Sequence, residues 1–381
     1  MSQTRLRSAV VVAIKEESLC HQEVRVKTQD NEVAVAMCYS DLTGRLSIGD
    51  RVIINTAAVA LDLGTGGYHF VLARQDSPQT GLNSDGHAMK LRYTPLQFCC
   101  SLIEEQMGHS LGPNPLSGMP VAICELHSQL PLVLAGIRAR LPHARLAYVL
   151  TEGGALPASF SHLLRHLKSS GLVDVVLSSG QAFGGDHEAV NVYSALVASR
   201  SVAECDAAVV GMGPGQLGSG TPLGFSGTEQ ADSLNRVSSL GGIPIAVLRL
   251  SGHDPRNRHH GVSHHTLTIL NRLTLARCFY AFPRELRKDV YWQGQRARIH
   301  DQHWSWEVRG TPAVEYLRRY GLAVETMGRP YQTDPVFFLA AGAAGGLVAQ
   351  FLKCKVRRAK YTARGSRRQD PRKARISLAL P

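Results

Sequence analysis

The first 80 residues are a series of short apolar, β-branched runs set between polar turns. Ala9 to Ile14, Glu23 to Thr28, Glu32 to Cys38, Arg51 to Asn55 and Tyr68 to Arg74 each read as a strand. Gln29-Asp30-Asn31 and Ile48-Gly49-Asp50 supply turn residues between them. This spacing predicts a small antiparallel β unit closed as a barrel. Leu61 to Gly67 is a glycine-dense turn within it, read either as a bulge needing positive φ or as a ligand loop.

From Met119 the texture changes, and apolar runs alternate with helix-length segments, the pattern of βα units around a parallel sheet. Strands are expected at Pro120 to Glu125, Arg145 to Leu150, Val173 to Leu177, Ala207 to Val210 and Ile245 to Leu250. A sixth is expected at Ala276 to Phe282 or Ala323 to Met327. Helices are expected at Leu130 to Arg140, Pro157 to Ser170, Glu188 to Ser199 and Glu229 to Leu240. Pro335 to Leu352 reads as a final Gly- and Ala-rich helix, and Arg284 to Arg309 as an insertion or irregular cap. The expected fold class is therefore α/β, with an N-terminal small β barrel followed by a doubly wound, mostly parallel sheet. The expected boundaries are residues 1–80 for the barrel, 81–118 for a linker, 119–352 for the α/β domain and 353–381 for a tail.

Charge changes the picture at one end only. The formal net charge is +12, but residues 353–375 hold eleven Lys and Arg against the single Asp370, which leaves the body near +2. A basic tail on a nearly neutral body is read as a disordered, solvated segment, or as one that makes nonspecific contact with nucleic acid or an anionic membrane. The apolar stretch Phe337 to Leu352 is broken by Gly342, Gly345 and Gly346 and is short of the roughly 20 residues needed to span a bilayer, so no membrane span is expected. The N-terminus shows no signal peptide, and the eight cysteines form no Cys-x-x-Cys pair. A cytoplasmic protein with buried thiols is the reading, with self-association left open.

In an open parallel sheet, ligands sit beyond the carboxyl ends of the strands, so the candidate chemistry is sought in the segments that follow them. After the first strand comes His127. After the second come Glu152, Gly153 and Gly154, and after the third Gln181 and Asp186. The fourth leads into Gly211 to Gly227, with Gly213, Gly215 and Gly218 in Gly-x-Gly-x-x-Gly order. No helix follows that third glycine, which speaks against a nicotinamide fingerprint. The loop reads instead as a nest of backbone amides for a small anionic ligand, through Gly211, Gly213, Gly215, Gly218, Gly220, Thr221 and Ser226, or as a run of positive-φ turns.

After the fifth strand stands the histidine-rich segment His253 to His265. His264, His265 and Asp254, with His127, are candidates for acid/base work, and Arg256 for a carboxylate or phosphate. Asp186 has the alternative role of capping the helix expected at Glu188. Six residues of the segment, His253, Asp254, His259, His260, His264 and His265, can ligate metal or move protons, but no tightly bound metal is expected. The cofactor is unknown. The functional expectation is a binder of a small anionic, phosphorylated or nucleotide-like metabolite. The alternative is a non-catalytic module recruited to nucleic acid or a protein partner through the barrel and tail.

With these residues in hand, the chain resembles a bacterial family of uncharacterised proteins, the domain of unknown function 3866. The resemblance lies in Leu63 to Tyr68, Lys90 to Gln97, Glu125 to Ser128, Gly153 to Pro157, Gly180 to Asp186, Gly224 to Gly227 and His259 to His265. It implies no activity. It does imply that His187 and His260 are not required, since other residue types often stand at those two places.

Overall fold

The computed structural model describes residues 5–62, 66–76, 86, 88–107 and 112–365, with side chains described as far as Cys354. Of the expected glycine turn Leu61 to Gly67, residues 63–65 lie outside the described residues, as does the tail beyond 365, while Asp62, Gly66 and Gly67 take positive φ.

The N-terminal unit is a closed barrel of β1 (Leu6–Glu17), β2 (His21–Thr28), β3 (Val33–Tyr39), β4 (Arg51–Asn55) and β5 (His69–Arg74), in the order β1-β2-β3-β5-β4. Four of the five pairings are antiparallel, and β3 and β5 run parallel. Register shifts between Val11 and Ala13 and between Ile14 and Glu16 let β1 bend far enough to pair with both β2 and β4. Val11, Val24, Val26, Ala36, Val52, Ile54 and Val71 fill its interior, as period-2 alternation requires. Met37 and Tyr39 alternate with the inward Ala36 and Cys38, yet both are buried, because that outer face packs against the rest of the protein.

A short hairpin of β6 (Ala88–Lys90) and β7 (Phe98–Cys100) lies in the expected linker. It is pinned rather than loose. The Lys90 ammonium, almost fully buried, donates to the Ser178 and Ala182 carbonyls and pairs with Glu188.

The α/β unit contains β8 (Pro120–Ile123), β9 (Leu146–Thr151), β10 (Val175–Ser179), β11 (His187–Ala189), β12 (Ala207–Met212) and β13 (Ile243–Ala246). A two-residue hairpin, β14 (Leu250–Ser251) and β15 (Gly261–Val262), follows, and β16 (Phe279–Pro283) and β17 (Trp304–Val308) complete the set. Eight of these form one parallel sheet in the order β11-β10-β9-β12-β8-β13-β16-β17. The central strands are buried on both faces, which explains their continuous apolar runs. One apolar cluster on each face covers the sheet with helices, so the domain is doubly wound.

Three expectations are corrected. Residues 187–189 are an edge strand, and the following helix is Val192–Ser201, capped by Asn191 and not by Asp186. Of the two places offered for a sixth strand, the first holds one and 323–327 does not. The stretch 284–309 is no shapeless cap, since it carries the helix Val290–Arg296 and the edge strand β17.

The last helix, Pro335–Gly365, runs past the expected end at Leu352. Its segment Pro335–Cys354 is in fact long and apolar enough to cross a bilayer. It is also 83% buried within the protein, as the core helix of a folded domain is. It lies against the helix Leu130–Arg138 where glycines meet: a Cβ on Gly136 would stand 2.5 Å from the Gly342 carbonyl oxygen, and one on Gly345 would collide with the Val133 backbone.

Candidate functional site

Strand order decides where the site lies. The chain enters the sheet at β8, moves outward through β9, β10 and β11, returns as β12 to the gap between β8 and β9, and then crosses to β13. The carboxyl ends of β12, β8 and β13 are thus a topological switch point, where the following loops diverge and leave room for a ligand. Two groups of polar side chains sit here, on either side of the loop after β12.

The first borders a cavity of about 840 Å³ between the barrel and the sheet edge. Tyr39, Tyr68 and Phe70 of the barrel form one wall, and Phe160, Leu163 and Phe183 of the sheet domain face them. Phe70 and Phe160 lie 6.0 Å apart, and Tyr39 and Phe183 lie 6.2 Å apart, between ring centres. An ion pair between Arg165 and Glu16 (3.0 Å) ties the two units together beside it. In this largely apolar lining the principal polar feature is a pair. His127 Nδ1 is 3.0 Å from the Met212 carbonyl oxygen, and His127 Nε2 is 2.7 Å from Ser161 Oγ.

A carbonyl can only accept, so Nδ1 carries the proton, Nε2 presents its lone pair, and the Ser161 hydroxyl donates to it. Burial holds the imidazole down to about 4, against the smaller opposing effect of the Met212 carbonyl, so the ring is neutral at physiological pH. Ser161 also caps the helix His162–Ser169, its Oγ accepting from the Leu164 amide at 2.9 Å. The first two amides of that helix belong to His162 and Leu163, which both line the cavity.

The second group surrounds Glu125, which is fully buried just past β8. Its Oε1 accepts from Arg249 (3.0 Å), from His265 Nδ1 (2.7 Å) and from Gln216 (3.4 Å), while its Oε2 has no partner. Burial alone would raise this carboxyl; the Arg249 guanidinium and the His265 ring outweigh that and hold it down at about 2. Phe225 stacks flat on His265, 3.7 Å between ring centres, and fixes the ring plane. The turn Asn257–His259 and the hairpin β14–β15 fold His259 back over the start of the helix His264–Thr268. Gly261, at φ +77°, opens β15 just after that turn. His259, His264 and His265 are thereby gathered, with one ring nitrogen of each within 4.8 Å of the others.

The predicted site residues divide on these grounds. His127, Gly154 and Gly215 line the cavity. His264 and His265 belong to the second group. Asp254 is not free for catalysis: its carboxylate is held by Arg256 (2.9 Å), Arg329 (3.3 Å) and Arg249 (3.8 Å), and it stays ionised far below the usual carboxylate range. Arg256 spends its fork on Asp254 rather than on an anion.

The glycine loop is engaged with itself. Gly211 lies inside β12, and Gly213 and Gly154 let two backbones touch, with the Ala155 amide donating to the Pro214 carbonyl. Leu217, Ser219, Gly224 and Ser226 donate their amides to Ser226 Oγ, the Gly224 carbonyl, Thr221 Oγ1 and the Leu217 carbonyl. Gly218 pairs with Phe225, and Gly220 takes φ +79° in the turn. These four amides are taken up within the loop.

Glu152 accepts from the Gln181 amide, Gly153 packs against the Glu229 carboxyl, and Asp186 is tied to Lys168 and the Val176 amide. Sequence reasoning missed Ser161 and Arg249 as site members; Glu125, at a strand end, and His259, one of six residues in its segment able to ligate metal or move protons, were visible to it but were not chosen. Glu229, which accepts from Thr151, was also missed; burial raises its carboxyl to about 7.

The chain matches the family model described as Protein of unknown function (DUF3866) over residues 35–345, and it belongs to that family. A search of curated proteins finds no match.

Proposed function

We propose that this DUF3866 protein binds a small, mainly apolar molecule carrying a carbonyl group in the cavity between barrel and sheet, and that Ser161 and His127 act on that carbonyl. The observation that carries this reading is the 2.7 Å bond from Ser161 Oγ to His127 Nε2, at the edge of a cavity of about 840 Å³. That volume falls within the range of about 300–1,000 Å³ usual for small-molecule sites, and a few convergent polar groups in an apolar lining are their common composition. The expectation of an anionic ligand is replaced here, because the wall is aromatic and aliphatic.

The reaction this pair fits is acyl transfer. Ser161 Oγ bonds to the ester carbonyl carbon as its proton passes to His127 Nε2. The oxygen charge that develops lies near the unpaired first amides of the helix His162–Ser169. The carbon–oxygen bond to the leaving alcohol breaks as His127 returns the proton to it. Water then attacks the acyl-serine by the same route, releasing the carboxylic acid and restoring the hydroxyl. The Met212 carbonyl keeps His127 in the tautomer that each step needs.

The test uses an alkyl fluorophosphonate and a medium-chain p-nitrophenyl ester. The expected outcome is a covalent adduct mapped to Ser161 by peptide mass spectrometry, with ester hydrolysis lost in Ser161→Ala and His127→Gln. No adduct on Ser161 and unchanged hydrolysis in both variants would overturn the reading.

A second reading rests on the barrel. Its strand order, with β3 and β5 parallel, is that of OB-type barrels, some of which bind oligonucleotides. Arg25 and Lys27 are exposed on β2. Salt-dependent binding of a single-stranded oligonucleotide, abolished by Arg25→Ala/Lys27→Ala, is the result that favours it.

A further inference from the structure

From the second group at the sheet edge we infer a binding site for one divalent late transition-metal ion of the zinc type, held by His259, His264 and His265. The site is separate from the Ser161–His127 pair and does not depend on it.

Four observations converge. One ring nitrogen from each of the three histidines lies within 4.8 Å of the other two, a spacing that small side-chain adjustments close around a metal ion. Two of the rings have one nitrogen already committed: His259 Nδ1 to Ser263 Oγ at 2.8 Å, and His265 Nδ1 to Glu125 Oε1 at 2.7 Å. Their Nε2 atoms are left to bind. For His265 this is the support that metal-binding histidines usually have, a carboxylate accepting the second ring N–H so that tautomer and ring direction are fixed, and the Ser263 hydroxyl can accept from His259 Nδ1 in the same way. The third ring, His264, has its Nε2 buried without a partner, and an unsatisfied buried polar atom calls for a ligand. Finally, the three rings sit at angles of 43°, 55° and 81° to one another, so they surround a point instead of stacking.

The donor set selects the ion. Three imidazole nitrogens with no carboxylate among them suit zinc or cobalt(II) and not magnesium or calcium, which take oxygen. Arg249 lies close by, 3.3 Å from His265 Nδ1, but its charge is matched by Glu125 and Asp254. Three protein ligands leave a fourth position for water, the arrangement of a catalytic rather than a closed structural zinc.

The test is titration of tag-free, full-length protein, stripped with a chelator, with Co2+ and then Zn2+. The expected result is one equivalent of Co2+ with the visible d–d bands of a tetrahedral ion, displaced by Zn2+ and untouched by Mg2+. Glu125→Gln weakens Zn2+ binding by about 10- to 100-fold through the loss of support for His265. His259→Ala and His264→Ala weaken it at least as much, and His260→Ala, whose ring is exposed and bonded to the Gly252 carbonyl, leaves it unchanged. Absence of tetrahedral bands in the wild type overturns the site, whether or not the variants fold. So does a Co2+ spectrum that His259→Ala leaves intact. Ester hydrolysis at Ser161 is not read in this experiment, so the two proposals fail separately.

Discussion

Replacing Glu229 by glutamine should make the protein more stable above neutral pH and leave it unchanged in acid. Glu229 opens the helix Glu229–Ser239 beside the β9 edge, where Thr151 donates to it and Gly153 leaves space for its carboxyl. Burial raises its carboxyl to about 7, from 4.5 when unhindered; Glu152 and Asp232 add to the rise, against Thr151 and Arg236. Between those two pH values the folded state holds a proton that the unfolded chain has released, so stability must fall as pH rises through this window. At about 1.4 kcal/mol per pKa unit the full cost is about 3 kcal/mol by pH 8, and none of it is present below pH 4. Glutamine keeps the shape and the acceptor for Thr151 but cannot ionise. Urea unfolding of both proteins at a series of pH values, followed by circular dichroism, gives two curves whose difference isolates this group. They should coincide near pH 4 and separate to about 3 kcal/mol by pH 8, glutamine being the more stable. Parallel curves, or a glutamine variant less stable throughout, would refute the assignment of a buried, protonated Glu229.

Lys90→Met removes the cation from a buried pair and strands Glu188, so it should cost about 3–5 kcal/mol in the same unfolding assay. Adding Glu188→Gln should restore part of that loss, whereas additive losses would show that the pair is not coupled. Gly345→Val drives a side chain into the Val133 backbone, and the melting temperature should drop by several degrees; an unchanged value would mean that the two helices pack elsewhere. His127 behaves oppositely to Glu229. Its folded value near 4 lies below the ordinary 6.5, so the unfolded chain takes up the proton first and stability is lost as pH falls from about 6.5 to 4. His127→Gln should flatten that acid limb, and an acid limb identical to the wild type would argue that the ring is solvated.

The architecture was legible because it rests on local periodicity. Period-2 alternation through β1 to β5 marks a barrel with one filled interior, and the unbroken apolar runs of β8, β9 and β12 mark strands covered on both faces. Elements whose identity depends on a distant neighbour were not legible. The residues His187–Ala189 form a strand only because β10 offers an open edge, and β17, with two tryptophans in five residues, is a strand because β16 lies beside it. The same division runs through the site. Position after a strand picked out His127, His264 and His265 from sequence, since that edge is where loops converge. Chain order carries no record of who faces whom across the sheet. It could not pair Ser161 with His127, bring His259 back over His264, or set Glu125 behind His265 from 140 residues away. Nor could it show that Asp254 and Arg256 cancel each other, or that Leu217, Ser219, Gly224 and Ser226 of the glycine loop bond their amides within it. Donor and acceptor preferences belong to single residues and are fixed by the sequence alone. Their satisfaction depends on distances of about 3 Å, which only the tertiary structure sets.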